Sequence, residues 1–323
     1  MRGLLIVNTG SPQSTAKRDV RRFIGEMLSD PLLINLSDPF RNILAKKIIA
    51  PLRCSGSAAR YSLIWDKKRN LSPLIAHSQA LALKIASATG MKVEIAMRYG
   101  DSFGIEAALQ RLNESNPALH EVMVVPMFPH YAESSYQTIV DAVGRCFFKN
   151  PYAFKLKILE PFYNDQAYIS ALATRLKPFV EQPYDRLIFS FHSLPLKHQQ
   201  RAREKGKQFD YVYQIKETIR LVSKELKIDP KKNRAVYSSA ICKKWLAPCM
   251  DEVMKSMPRE GQKNIIVACP GFPADNLETL YDINIRAREI FRKNGGESFR
   301  FAPCLNSEDF WAEAIVKMVT RKR

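Results

Sequence analysis

The chain repeats itself once. Pro126-Met127-Phe128-Pro129 and Pro270-Gly271-Phe272-Pro273 share one form, and each closes an unbroken apolar run, residues 121–125 and 264–268. Ser134 and Glu278 follow the two tetrapeptides at the same offset. Leu5-Ile6-Val7-Asn8-Thr9-Gly10-Ser11-Pro12 is matched in the same way by Ile188-Phe189-Ser190-Phe191-His192-Ser193-Leu194-Pro195: a strand, a small turn, then proline. A repeat this long duplicates a domain and does not build a solenoid. Further apolar runs stand at 4–8, 93–97, 187–191 and 234–238. None alternates, so each should be buried on both faces. Helical patterns at 78–89, 104–114, 165–178 and 214–226 lie between them. Strand–helix alternation predicts an α/β fold of two similar doubly wound lobes, each a parallel sheet flanked by helices. The ligand cleft is expected between the lobes, at the C-terminal ends of the strands. The first lobe should span 1–150 and the second 151–302, with the break near Asn150-Pro151. Residues 303–323 should form a C-terminal helix that returns to the first lobe. Its basic end suits the helix dipole.

At 323 residues with 46% hydrophobic content, the chain can bury a core without staples. No apolar run approaches the 18 or so residues of a spanning helix, and residues 1–7 are too short for a signal peptide. The expected location is therefore the cytoplasm. The net charge of +18 is the outlying number. It admits nucleic acid, an anionic membrane surface or an acidic small molecule, or a basic surface with no specific partner. The basic residues are scattered and carry no aromatic-lined motif, so no nucleic acid is expected. Six cysteines, Cys54, Cys146, Cys242, Cys249, Cys269 and Cys304, include no Cys-x-x-Cys pair. Cys242 and Cys249 with Cys304 could in principle hold a metal cluster, but their spacing matches no common pattern; reduced, mostly buried thiols and no Fe–S cluster are expected.

Residues 23–52 are apolar and basic at once. Met27-Leu28, Leu32-Leu33-Ile34, Phe40, Ile43-Leu44 and Ile48-Ile49 alternate with Arg41, Lys46, Lys47 and Arg53. Two readings stay open: a core helix pair, or an exposed apolar lip with a cationic rim suited to a membrane surface or an amphipathic ligand.

His192 follows a strand end directly, where such folds face their ligand. Asp275, Glu278 and Asp282, spaced i, i+3 and i+7, should share one helical face near its start. An acidic first turn that merely suits the dipole is the plain alternative, and Asp275 could be the N-cap. An imidazole with a carboxylate can hold a borderline divalent metal transiently or move protons near neutral pH. Three carboxylates this close should raise at least one pKa. Ser190 or Ser193 could in principle make a hydrolytic triad with His192, but there is no Gly-x-Ser-x-Gly elbow. Nor is there a Gly-x-Gly-x-x-Gly or Walker loop.

These and other motifs carry a family resemblance over about residues 2–320. They are Asn8-Thr9-Gly10-Ser11-Pro12, Tyr61-Ser62-Leu63-Ile64-Trp65 with Ser72-Pro73-Leu74, Met97-Arg98-Tyr99-Gly100, Pro129-His130-Tyr131-Ala132-Glu133-Ser134-Ser135, residues 189–195, Trp245-Leu246-x-Pro248, and residues 270–280. In this order they resemble ferrochelatase, the lyase that inserts Fe²⁺ into protoporphyrin IX in the last step of haem biosynthesis. The resemblance implies that His192 is the active-site proton acceptor or metal ligand, with Glu278 its partner carboxylate across the porphyrin. Asp275 and Asp282 would guide metal or protons. Arg53, Tyr61, Ser72, Arg98, Tyr99, Tyr131 and Trp245 would contact porphyrin or its propionates. Fe²⁺ is then substrate, and no permanently bound cofactor is expected. The resemblance implies protoporphyrin IX and Fe²⁺ as partners, and with the +18 charge it leaves room for an anionic membrane surface at which the protein would sit peripherally. A porphyrin carrier without turnover, or another tetrapyrrole chelatase such as a cobalt chelatase, is the alternative. Oligomeric state is not legible. The chain differs from the family pattern at Asn276, where His is frequent, at Arg286, where the acidic face commonly continues, and around residues 237–242 and 197–213.

Overall fold

A computed structural model describes the chain except residues 101–102, 116–117, 241–242 and 322–323. Among the described residues there are eight strands: β1 Arg2–Gly10, β2 Lys92–Tyr99, β3 Glu121–Pro126, β4 Lys155–Ile158, β5 Arg186–His192, β6 Asn233–Ser238, β7 Asn264–Ala268 and β8 Ser298–Phe301. They form two four-stranded sheets of identical order, β2-β1-β3-β4 and β6-β5-β7-β8. Every pairing is parallel. The duplicated sequence is therefore a duplicated, doubly wound sheet.

The unbroken runs end up where their pattern puts them. Leu4, Leu5, Ile6 and Val7 of β1, and Leu187, Ile188 and Phe189 of β5, are fully or almost fully buried in the central strands. Each buried aliphatic side chain contributes about 1.5–3 kcal/mol. Behind the first sheet, Leu109, Leu112, Ile139 and Val143 close the core. Behind the second, Met250, Met254, Ile283 and Phe291 do so. The helix Pro73–Thr89 starts at Ser72, whose hydroxyl accepts from the Ile75 N–H, and stops at Gly90 in the left-handed conformation. Gly10 has φ +105°, and a Cβ there would sit 2.0 Å from the Tyr99 carbonyl oxygen, so the turn after β1 demands glycine.

The chain divides into two compact units: residues 1–128, 132–161 and 319 onward, and residues 129–131 with 162–318. The first sheet's fourth strand, β4, lies beyond Asn150, so the division falls after Pro161 and not at the expected 150/151. The C-terminal helix Asp309–Thr320 also departs from expectation. Its Trp311 packs against Phe162 and Tyr168 inside the second unit, and only its last residues group with the first. Pro129–Tyr131, flanked on both sides by first-unit residues, belongs to the second unit. His130 Nε2 bonds Thr218 Oγ1 at 2.9 Å, and the Tyr131 N–H donates to Gln214 Oε1 at 2.7 Å.

Candidate active site

β5 ends on His192 and β6 ends on Ser238, directly opposite in register. After β7, the turn through Pro270-Gly271-Phe272-Pro273 leads into a π-helix, Glu278–Ala287. Asn276 caps its entry, its Oδ1 accepting from the N–H of Glu278 at 2.9 Å and of Thr279 at 3.3 Å. Glu278 thus stands at the first turn, where the helix favours negative charge. His192 Nδ1 lies 2.8 Å from Glu278 Oε2, and the Ser238 hydroxyl donates to Glu278 Oε1. Tyr211 donates its hydroxyl proton to the His192 carbonyl at 3.1 Å. The His192 side chain is 43% exposed and that of Glu278 14%.

Electrostatics bind the two together. Burial works against charge on His192, but the Glu278 carboxylate, its hydrogen bond and Asp282 outweigh it and raise the imidazole pKa. Burial likewise opposes charge on Glu278, but His192 and the hydroxyls of Ser238 and Ser239 hold its pKa below the usual carboxylate value. In the neutral ring Nδ1 donates to Glu278, so Nε2 is the nitrogen left to take a proton, and the raised pKa favours its doing so.

Three expectations change here. First, His192 and Glu278 touch, so no macrocycle can lie between them. They form one group on one side. Second, Asp275 does not share the helical face. It precedes the helix and is buried, accepting from Thr279 Oγ1 at 3.0 Å and Asn306 Nδ2 at 2.7 Å. It ties the loop and presents nothing to a metal. Third, repulsion among acids does not raise the Glu278 pKa, because Asp275 is held apart and His192 stands closer. Asp282 does fall one turn beyond Glu278. π-Helical bonding widens the turn, so i and i+4 align. Arg286 Nε lies 3.4 Å from Asp282, and its NH1 lies 2.6 Å from Asp251. Ser193 is fully buried and donates to the Leu246 carbonyl at 3.0 Å, so it is no nucleophile.

The residues expected to meet porphyrin are not alike. In the second unit, Trp245 is half-buried and its backbone pairs with Pro195, close in sequence to His192. Tyr131 is buried against Phe209. In the first unit, Arg53 is exposed. Ser72 is the buried cap already described. Tyr61 is buried and hydrogen-bonded to Ser11, and burial raises its pKa. Arg98 pairs with Asp30 and donates through Nε to Thr138 Oγ1 at 2.7 Å. Tyr99 donates to Asp30 Oδ2 at 2.9 Å. Sequence reasoning missed Asp30 and Thr138, and it marked Asn276 and the 237–242 segment only as departures from the family pattern, without the contacts that Asn276 and Ser238 make. The one available signal for Ser238 was its place at the end of a strand run beside that of His192.

The 23–52 segment combines both of its readings. Phe23, Ile24, Ala45 and Ala50 are buried, whereas Leu36, Phe40, Ile43, Ile48 and Leu52 are exposed. Lys46, Lys47 and Arg53 are exposed among them. Arg41 is not part of this rim. It is buried, donating to the Ser29 carbonyl at 2.7 Å and pairing with Asp38. Among the described residues no helix is long and apolar enough to cross a membrane. Among them, too, no group of three or more His, Cys, Asp or Glu is set to hold a metal ion. Cys242 lies outside the described residues.

Two parallel sheets of one order, with an imidazole–carboxylate pair at the strand ends of the second, make a duplicated α/β fold. The solved structure of SirB from Bacillus subtilis with Fe³⁺ shares the fold at TM-score 0.58 and 11% identity, covering 98% of this chain and 94% of that one. The chain belongs to the Ferrochelatase family, whose profile matches residues 1–323. Ferrochelatase of Porphyromonas gingivalis is 33% identical over 97% of this chain and 94% of its own length. Those of Opitutus terrae and Ectopseudomonas mendocina are also 33% identical, over 97% and 98% of this chain and 96% and 97% of their own.

Proposed function

We propose that this protein is an enzyme that inserts Fe²⁺ into protoporphyrin IX to form protohaem. The observation that carries the reading is the family match over the whole chain. The second sheet's His192–Glu278 pair supplies chemistry that fits it. Insertion releases two pyrrolic protons for each metal taken up. His192 Nε2 accepts them one at a time, passing the first to solvent from its exposed ring before taking the second, and Glu278, in contact with Nδ1, stabilises the imidazolium formed each time. Binding strain that bends the macrocycle exposes the nitrogen lone pairs. Asp282, one turn beyond Glu278, adds negative charge that draws a divalent cation. Arg53 suits a propionate by its planar fork, and Trp245 offers an aromatic face.

The exposed apolar side chains and lysines of 36–53 fit an anionic membrane surface, from which an apolar porphyrin would be drawn. The proposed location is cytoplasmic and peripheral. Binding to anionic vesicles should exceed binding to neutral ones and weaken with salt. Equal, salt-insensitive binding would remove the electrostatic part.

The deciding experiment is anaerobic incubation with protoporphyrin IX and Fe²⁺, Zn²⁺ or Co²⁺, followed optically. Metallation with Fe²⁺ supports the proposal. Tight porphyrin binding without metallation would make the protein a carrier, and insertion of Co²⁺ alone would make it a different chelatase.

A further inference from the structure

Ser238 is 1% exposed and joins three parts of the second unit. Its carbonyl accepts from the Ser193 N–H at 2.9 Å. Its hydroxyl oxygen lies 3.0 Å from the Phe191 carbonyl oxygen and within hydrogen-bond reach of Glu278 Oε1. Residues 191 and 193 flank His192, and Ser238 faces His192 across the β5–β6 register. One side chain thus brackets the imidazole's backbone and grips the carboxylate that holds its ring.

A serine hydroxyl has a single proton to give. Two acceptors compete for it here. The charged carboxylate makes the stronger bond, so the proton goes to Glu278 and Phe191 O is left as a close neighbour. Glu278 then has each oxygen committed, Oε2 to His192 and Oε1 to Ser238, and its carboxylate plane can no longer turn. Ser239, the next residue, also bonds the carboxylate, but it lies past the strand end; without the Ser238 hydroxyl the strand itself gives Oε1 no donor, and the carboxylate could turn about its last bond toward Ser239.

We infer that Ser238 is a positioning residue that fixes the Glu278 carboxylate, and through it the His192 ring, in the orientation in which the pair accepts protons. The inference rests on the proposed chelatase activity. It adds that the end of β6, where this chain departs from the family pattern, takes part in the chemistry by orienting the acid.

The test uses Ser238→Ala, Ser238→Cys and Ser238→Thr in the full chain, with Zn²⁺ and protoporphyrin IX as substrates and circular dichroism as a check on folding. Loss of an orienting partner typically costs about 10- to 100-fold. Ala and Cys should therefore lower kcat by about tenfold or more, with KM for porphyrin within about twofold, the mark of an interaction used in the transition state. Thr keeps the hydroxyl and should recover kcat to within about threefold of the natural protein, on the order of 0.7 kcal/mol. In a Glu278→Gln background, adding Ser238→Ala should cost nothing more, because the two act as one unit. Full kcat in Ala or Cys overturns the inference, as does a Thr variant no better than Ala, or full additivity with Glu278→Gln. Failure of both Ala and Cys to fold would make Ser238 a packing residue and overturn it too. A natural protein that does not metallate porphyrin would instead strike the proposed function.

Discussion

The two sheets put different chemistry on the same frame. In each, the second strand of the repeat ends beside the helix that follows the third. In the first unit that meeting joins Arg98 and Tyr99 to Thr138 and Asp30. In the second it joins Ser238 to Glu278 and His192. The first network is closed. Asp30 is 2% exposed and Arg98 17%, and Asp30 accepts from three side chains. The second leaves a ring nearly half exposed, with one nitrogen uncommitted. Duplication supplied one scaffold twice. A saturated polar cluster rigidifies one copy, while an unsaturated one is able to exchange protons.

This contrast can be broken in a graded way. His192→Ala should lower metal insertion by a factor on the order of 10³, near the upper range for loss of an acid–base group. Porphyrin affinity should stay within about tenfold, an allowance of about 1.4 kcal/mol. Turnover close to normal, measured optically, would dissolve the second unit's claim to the chemistry. Glu278→Gln should reduce turnover about 100-fold with little change in denaturation midpoint. Asp282→Asn should be milder, because Arg286 already neutralises part of its charge.

The mirror experiment is Asp30→Asn. It strips the charge from the partner of a largely buried Arg98, so stability should fall by about 3 kcal/mol or more. Read by urea denaturation, that loss should come with kcat essentially intact. A large kcat loss at unchanged stability would mean the first unit's cluster is catalytic after all.

The smallest effect is in pH. His192 is raised, so its contribution to stability is complete below the ordinary imidazole value of 6.5 and fades as pH rises through its folded pKa. Glu278 is lowered, so its contribution is complete above the ordinary 4.5 and fades as pH falls through its folded pKa. The Tm difference between the natural protein and Glu278→Gln should therefore peak between pH 4.5 and 6.5. Asp30 differs. Burial opposes its charge, but its bonds from Thr138 and the Leu32 N–H, with Arg98, lower its pKa. Its contribution is complete above 3.8 and does not fade at neutral pH, since arginine keeps its charge. Two Tm-difference curves of the same shape would erase the distinction between the units.

The main strands were legible because burial on both faces writes an unbroken apolar run, as in β1 and β5. β4 and β8 were not. They are four-residue edge strands, and Lys-Leu-Lys-Ile of β4 alternates with solvent. His192 and Glu278 could be found because the repeat marks their places. Their contact could not, since distances between strand ends and helix starts depend on the whole sheet. Spacing misplaced Asp275 because it assumed a 3.6-residue helix beginning there. The chain instead turns at Asn276 and opens as a π-helix. Arg41 looked like surface charge, but its guanidinium satisfies carbonyls at a tight turn, which composition cannot reveal.

Pro129–Tyr131 has a consequence for how the molecule can be taken apart. Its partners stand far down the chain: Gln214 and Thr218 wait 83 and 88 residues beyond Tyr131 and His130. His130 is 2% exposed, and burial drops its pKa to about 3, so it stays uncharged in place at any ordinary pH. Its ring meets Phe191 and Tyr211 edge-on, next to the strand end that carries His192. A polypeptide cut after Pro161 would keep every strand of the second sheet and still be incomplete. It would leave a ring-sized hole behind Phe191 and take one partner each from Thr218 and Gln214, which would keep only their bonds to the Tyr163, Lys207 and Gln208 carbonyls. During synthesis the same three residues must stay uncommitted until Thr218 has emerged, so the second half of the protein is finished by a fragment made in the first.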